Sequence, residues 1–341
     1  MLPKGLYRSI TSYSYTNKGK GVPKNPQIPN VAKQMKSKEI IEQKYKKVSC
    51  IFCSSNNVIG RGIRKTGNRG KVQRFGCKNC GKRFSADDGF WKMKNHEKKI
   101  TLCMDLYYNG MSFRKIQEHL KAFYPKNCHF STVYRWIVKY SMIISQLTDN
   151  LQIKSGIELQ SDEMEYHRRI SKYQKGGEQN WFVDVMDTTT RFMVSSGYIR
   201  SRTIDSMVKV LKRGKFATGE QVKIITTDGL RGYPKILKKS FGLKTYWNHK
   251  SPIIHNIVIA SERGFNHPIE RLHNSIRERT KVMRGFHGCI ESASAIMKGY
   301  ETYYNFIRKH QGINCCPYEL AIPNLELGKN KWLDLIKLSV S

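Results

Sequence analysis

Two Cys-x-x-Cys pairs, Cys50-Ile-Phe-Cys53 and Cys77-Lys-Asn-Cys80, constrain this chain more tightly than any other local feature. Each pair sets two thiols on one tight knuckle, and two knuckles close together offer four thiolates to a common centre. Gly81, just after the second pair, permits the sharp turn such a knuckle needs. The 23 residues between the pairs are rich in Gly, Lys and Arg and predict a β-hairpin. Residues 48–90 therefore read as a ribbon closed by a structural Zn²⁺ on Cys50, Cys53, Cys77 and Cys80. Reduced thiols without an ion, or a redox pair, are the competing readings. Cys103, Cys128, Cys289, Cys315 and Cys316 lack a second knuckle and read as core or surface thiols.

The charge balance narrows the partners. The chain holds 61 Lys and Arg against 26 Asp and Glu, a formal charge of +35. Residues 1–100 alone hold 24 basic and 5 acidic side chains. A field this positive attracts polyanions, and an excess gathered at one end predicts a front that grips double-stranded DNA ahead of a more balanced body. No apolar run approaches the roughly 18–20 residues a bilayer crossing needs, so no membrane role is expected. The opening MLPKGLYRSI lacks the apolar core of a signal peptide, which predicts a cytoplasmic protein working on DNA. A length of 341 residues suits two or three domains.

Residues 1–47 are polar and basic, without sustained periodicity, and read as a flexible arm ending in a short Lys-rich helix near 36–47. Residues 96–146 are predicted helical. Within them, 111–120 and 131–140 are amphipathic, with Ser112 and Ser131 as expected caps. That layout fits a helix-turn-helix whose second helix offers Thr132, Tyr134, Arg135 and Lys139 to a DNA groove. It equally fits a plain helical hairpin with Ile116, Leu120, Val133, Trp136 and Ile137 as core. From about residue 155 the pattern is α/β. A strand at 159–167 precedes a hairpin of 181–187 and 191–198 turned at Asp187–Arg191. A helix at 203–214, a buried strand at 222–227, a helix near 230–240 and a short strand at 243–247 follow, and a long helix spans about 288–310.

Three acids fall at element boundaries in that pattern: Asp162 on the first strand, Asp228 just past the fourth, and Glu270 on a late basic helix. Carboxylates brought together repel unless a cation lies between them, and an all-oxygen set with open positions suits Mg²⁺ or Mn²⁺. Two such ions support in-line displacement at phosphorus. Arg277 lies seven residues beyond Glu270, close to two helical turns, and Ile269, Leu272, Ile276 and Met283 form the stripe for burial. Arg277 and Lys281 are expected to grip phosphate. Glu262 competes with Glu270 for the third position, but Asn266 as cap and Pro268 in the first turn place it in the preceding loop.

With these residues in hand, the chain resembles the prokaryotic insertion-sequence DDE transposases with an integrase-like catalytic core. The resemblance is carried by Asp162-Glu163, the Trp181–Asp187 strand, Thr227-Asp228-Gly229 and, most specifically, IERLHNSIRERTKVMRGF (269–286). It covers roughly residues 48–310. It implies an RNase H-like domain over 155–310 with a mixed five-stranded sheet flanked by helices, preceded by the zinc ribbon and the helix-turn-helix, and followed by a tail at 311–341. It also implies Asp162, Asp228 and Glu270 as the metal-binding triad, terminal-inverted-repeat DNA as substrate, and action as a homo-oligomer. The interval from Asp228 to Glu270 is longer than in the commonest members, which marks NHKSPIIHNIVIASERGF (248–265) as an insertion and leaves His249 and His255 as loop, core or DNA-touching residues. A non-catalytic or host-captured DNA-binding regulator, and a metal-dependent nuclease on the same fold, are the alternatives.

Overall fold

A computed structural model describes residues 48–66, 70–85, 88–90, 93–124, 128–169, 177–242, 253–258, 267–281, 286–287 and 289–340. The basic arm and its Lys-rich helix, the strand at 243–247, His249, Glu262, the Asn266 cap and Met283 lie outside them.

The ribbon is a three-stranded antiparallel sheet: β1 (Val58–Thr66), β2 (Gly70–Cys77) and β3 (Arg83–Ser85), in that order. Register assigns its two faces. Arg64 is opposite Val72, and Arg74 is opposite Ser85. Side chains alternate along a strand, so Arg64, Arg74 and Arg83 share one face. Phe84, on the other face, packs with Cys50 and Cys77 in a small core of its own.

Three helices come next: α1 (Glu97–Tyr108), α2 (Phe113–Phe123) and α3 (Phe130–Thr148). The Ser112 hydroxyl caps α2 as expected, accepting from the Lys115 N–H at 3.3 Å. The expected Ser131 cap is replaced by His129, whose Nδ1 accepts from the Ser131 N–H at 3.3 Å, so the cap lies two residues earlier and α3 starts at Phe130. It also runs eight residues past the expected end, because Ser141, Ile144 and Ser145 continue its buried stripe.

The body is a mixed sheet ordered β6-β5-β4-β7-β8, from β4 (Glu158–Arg169), β5 (Glu178–Asp187), β6 (Met193–Ile199), β7 (Ile224–Thr227) and β8 (Ile254–Ile257). The first three strands are antiparallel; β7 and β8 run parallel to β4. Asp187 turns the β5–β6 hairpin by accepting from the Thr190 N–H (3.0 Å) and hydroxyl (2.6 Å), with Arg191 in the left-handed region. The helices are α4 (Ile204–Thr218), α5 (Tyr233–Ser240), α6 (His267–Lys281) and α7 (Ile290–Thr302), the last continuing as a π-turn over Tyr303–Ile307. Two-residue β9 (Phe286–His287) pairs with the far end of β4. One correction concerns β8: it lies inside the stretch read as an irregular insertion. Its pairing with β7, from Ile224↔Ile254 to Thr227↔Ile257, makes residues 254–257 part of the sheet.

The helices ahead of the sheet share its core. Buried side chains from Phe90 to Ile336 form one cluster. The Tyr108 hydroxyl bonds Ser141 Oγ at 2.9 Å and donates to the Ile296 carbonyl at 3.1 Å, joining α1, α3 and α7. Gly299 makes that approach feasible, since a Cβ there would stand 1.8 Å from the Tyr108 hydroxyl. Residues 311–341, expected as a tail, carry α8 (Pro317–Ala321) and α9 (Lys331–Val340). Trp332, Leu335 and Ile336, at helical spacing, are buried in the common core.

Candidate active site and metal centre

β4 positions the acidic site. Its ladder with β7 pairs Glu158 with Ile224, Leu159 with Ile225 and Gln160 with Thr226. The ladder ends at Gln160 and Thr226; Asp162 lies two residues beyond it on β4, and Asp228 two residues beyond it on the chain leaving β7. Neighbouring strands run about 4.8 Å apart. Asp228 is held in its turn by accepting from the Leu230 N–H at 3.0 Å. Glu270 arrives on the first turn of α6. That turn is docked beside Asp162, because the Ile269 N–H donates to Gln160 Oε1 at 3.2 Å. Further along, Tyr166 and Thr280 hydroxyls meet at 3.2 Å, so α6 lies along the same face of β4.

Sequence reasoning missed the centre of this face. Asp184 on β5 is directly opposite Asp162, and its side chain is wholly buried. His273, one turn beyond Glu270, fills the space between them. Its Nε2 donates to Asp184 Oδ1 at 2.8 Å, and its Nδ1 faces Asp162 Oδ2 at 3.4 Å. Burial lowers the imidazole pKa, but the Asp184 and Asp162 carboxylates together more than offset this and leave it above the usual histidine value. Asp184 Oδ2 has no hydrogen-bond partner among the described residues. Burial pushes the Asp162 carboxyl up to about 6, with His273 opposing and Asp184 adding to the shift. Glu163 points to the other face, where it accepts from Tyr233 Oη at 2.8 Å and pairs with Arg202 at 2.9 Å.

Among the described residues, only Cys50, Cys53, Cys77 and Cys80 bring three or more His, Cys, Asp or Glu donor atoms within 4.8 Å of one another. Asp162, Asp228 and Glu270 stand on adjacent elements without reaching that spacing. His255 sits on β8, bonding the Thr227 hydroxyl at 2.8 Å beside Asp228.

The cysteine centre is compact. Sγ atoms of Cys50 and Cys80 are 3.6 Å apart, and those of Cys53 and Cys77 3.5 Å. Four sulfurs about 2.3 Å from one tetrahedral ion stand about 3.8 Å from each other, so these thiols could hold a metal such as zinc. The Cys80 N–H is the main influence holding the Cys77 thiol down to about 6, against the effect of burial. The knuckles close through Ser54 N–H to Cys50 O (2.8 Å) and Gly81 N–H to Cys77 O (3.0 Å).

Basic groups are available on two elements. Arg64, Arg74 and Arg83 line one concave surface of the ribbon with Ser85, and none pairs with a carboxylate among the described residues. On α3, Arg135 and Lys139 are exposed, and Thr132 is half-buried with its hydroxyl accepting from Arg135. Tyr134 is half-buried and packs edge-on against Phe113, so it serves the helix pair as well as its surface. Arg277 and Lys281 are exposed on α6. No helix among the described residues is long and apolar enough to cross a membrane. No protein-family model and no curated protein matches this chain.

Proposed function

We propose that this chain is a DDE transposase with an RNase H-like core. On this reading it binds the terminal inverted repeats of a mobile element, cuts at the ends and joins the freed 3′-hydroxyls to target DNA. The observation that supports the reading is the parallel β4–β7 ladder, with Asp162 and Asp228 each two residues beyond its last pair, together with a helix bearing Glu270 docked on Gln160. The three acids are hard oxygen donors, and Asp162, Asp228 and Glu270 would together hold Mg²⁺ or Mn²⁺. When bound, such ions activate the attacking oxygen and stabilise the leaving one. The chain's own groups do the rest. Arg277 and Lys281, exposed on the helix that bears Glu270, hold phosphate near the scissile step. His273 fills the protein side of the site and keeps water from entering between Asp162 and Asp184.

Zn²⁺ on the four cysteines is structural here, since four thiolates close its coordination sphere. The arginine face of the ribbon grips the DNA backbone. The α2–α3 pair acts as the helix-turn-helix, with Thr132, Tyr134, Arg135 and Lys139 toward a groove. Joining two ends in one event calls for a homo-oligomer. Footprinting of the full chain on the DNA flanking its own coding sequence tests the reading. Protection of a repeated, inverted segment at both flanks is expected; uniform, sequence-independent coverage would count against it.

A further inference from the structure

The imidazole between Asp162 and Asp184 has no place in the reading so far beyond filling space. Both carboxylates come from directly opposed residues on neighbouring strands, where like charges destabilise the pair. His273 reaches both through different ring nitrogens, at 2.8 Å and 3.4 Å, and is itself buried. A carboxylate only accepts, so the 2.8 Å contact fixes a proton on Nε2 and locks the ring plane against Asp184. Nδ1 is then presented to Asp162 Oδ2 with no freedom to turn away. His273 and Glu270 are one turn apart on α6, and His273 meets the strand that carries Asp162 between the Ile269–Gln160 and Tyr166–Thr280 contacts that hold the same helix on β4.

We propose that His273, anchored by the buried Asp184 carboxylate, is a positioning residue. It orients the Asp162 carboxylate and sets the spacing between Asp162 and Glu270. The proposal rests on the reading of Asp162, Asp228 and Glu270 as metal-binding acids. Outer partners of ligating carboxylates typically contribute about 10–100-fold to metal affinity or activity, and His273, bonded to Asp184 and 3.4 Å from Asp162, fits that role.

The test uses the full chain and Mn²⁺ alone, with affinity read by titration calorimetry beside thermal melting and duplex binding. In His273→Gln the amide nitrogen takes the place of Nε2 and keeps the bond to Asp184, while nothing faces Asp162. This variant is expected to melt and bind duplex as wild type does, to lose about tenfold or more in Mn²⁺ affinity, and to recover cleavage as Mn²⁺ is raised. Asp184→Asn removes the anchoring charge without touching Asp162, and a loss in the same direction is expected. It stands in should His273→Gln fail to fold. Unchanged Mn²⁺ affinity in the folded variants, with wild-type protein binding the ion, overturns the positioning role and leaves the acid triad standing. Wild-type protein that binds no Mn²⁺ overturns both.

Discussion

Burial is the main force on the Asp162 carboxyl, and it holds the group up to about 6, well above its value near 3.8 in an open chain. A raised carboxyl pKa means that the folded state binds the proton more tightly than the unfolded chain does. The associated stability is present below about pH 4 and is lost as pH rises through about 6. Two units correspond to about 3 kcal/mol at most, and the side chain's 23 % exposure screens part of that. Asp162→Asn should therefore stabilise the protein at pH 7 by about 1–2 kcal/mol, a gain that fades toward pH 4. Thermal melting against pH measures it, and a variant less stable than wild type at pH 7 would contradict the assignment. The same substitution, like Asp228→Asn, removes the charge that holds a cation. Both should abolish cleavage and joining while binding to end DNA survives, and full activity in either would remove that residue from the site.

At the level of single elements, the ribbon depends on its four thiols, because its own core is little more than Cys50, Cys77 and Phe84. Replacing Cys50 and Cys53 by Ser should release about one zinc per chain in metal analysis and unfold residues 48–90 while the body keeps its hydrogen-exchange protection. Wild-type protein purified without zinc would refute the structural ion. Changing Arg64, Arg74 and Arg83 to Ala should flatten the dependence of duplex affinity on salt by about 0.9 log units for each phosphate no longer neutralised; an unaltered slope would move the DNA grip elsewhere. On α6, Glu270→Gln should eliminate strand transfer and Glu262→Gln should leave it within about tenfold of wild type, as expected when a ligand sits on a docked helix instead of a loop. The reverse pattern would place the ligand before the helix. The cysteine knuckles, the Asp187 turn and the strand carrying Asp162 were all legible in the sequence, since each rests on local spacing or turn chemistry. β8 was not. Its Ile254 and Ile257 are about half exposed, so burial leaves no pattern there and the pairing with β7 alone defines the strand. Asp184 was hidden for a related reason: inside the apolar run Trp181–Met186, only the register against β4 reveals that it faces Asp162.

Among the described residues, helices that precede and follow the sheet in sequence pack into one core with it. Lys298 on α7 bonds Asp149 at the end of α3 (2.6 Å) and Glu301 (2.8 Å), while Glu301 accepts from Ser196 on β6. Trp332 on α9 donates to Asp105 on α1 at 3.3 Å. The α3 helix is thus tied to the body by polar contacts as well as by apolar packing, a connection that reading segment by segment could not supply. Such ties hold the proposed DNA-reading helix and the acidic site in one frame, as an enzyme that cuts at a fixed offset from its recognition sequence requires. The most direct measurement is a strand-transfer assay with Mn²⁺, the full chain, and labelled duplexes from the DNA flanking its own coding sequence. The account predicts 3′-hydroxyl nicks at the ends and labelled strands joined to target DNA, both absent in Asp228→Asn. Sequence-specific binding with neither nicking nor joining would contradict it and leave a DNA-binding regulator, whereas nicking without joined product would leave a nuclease.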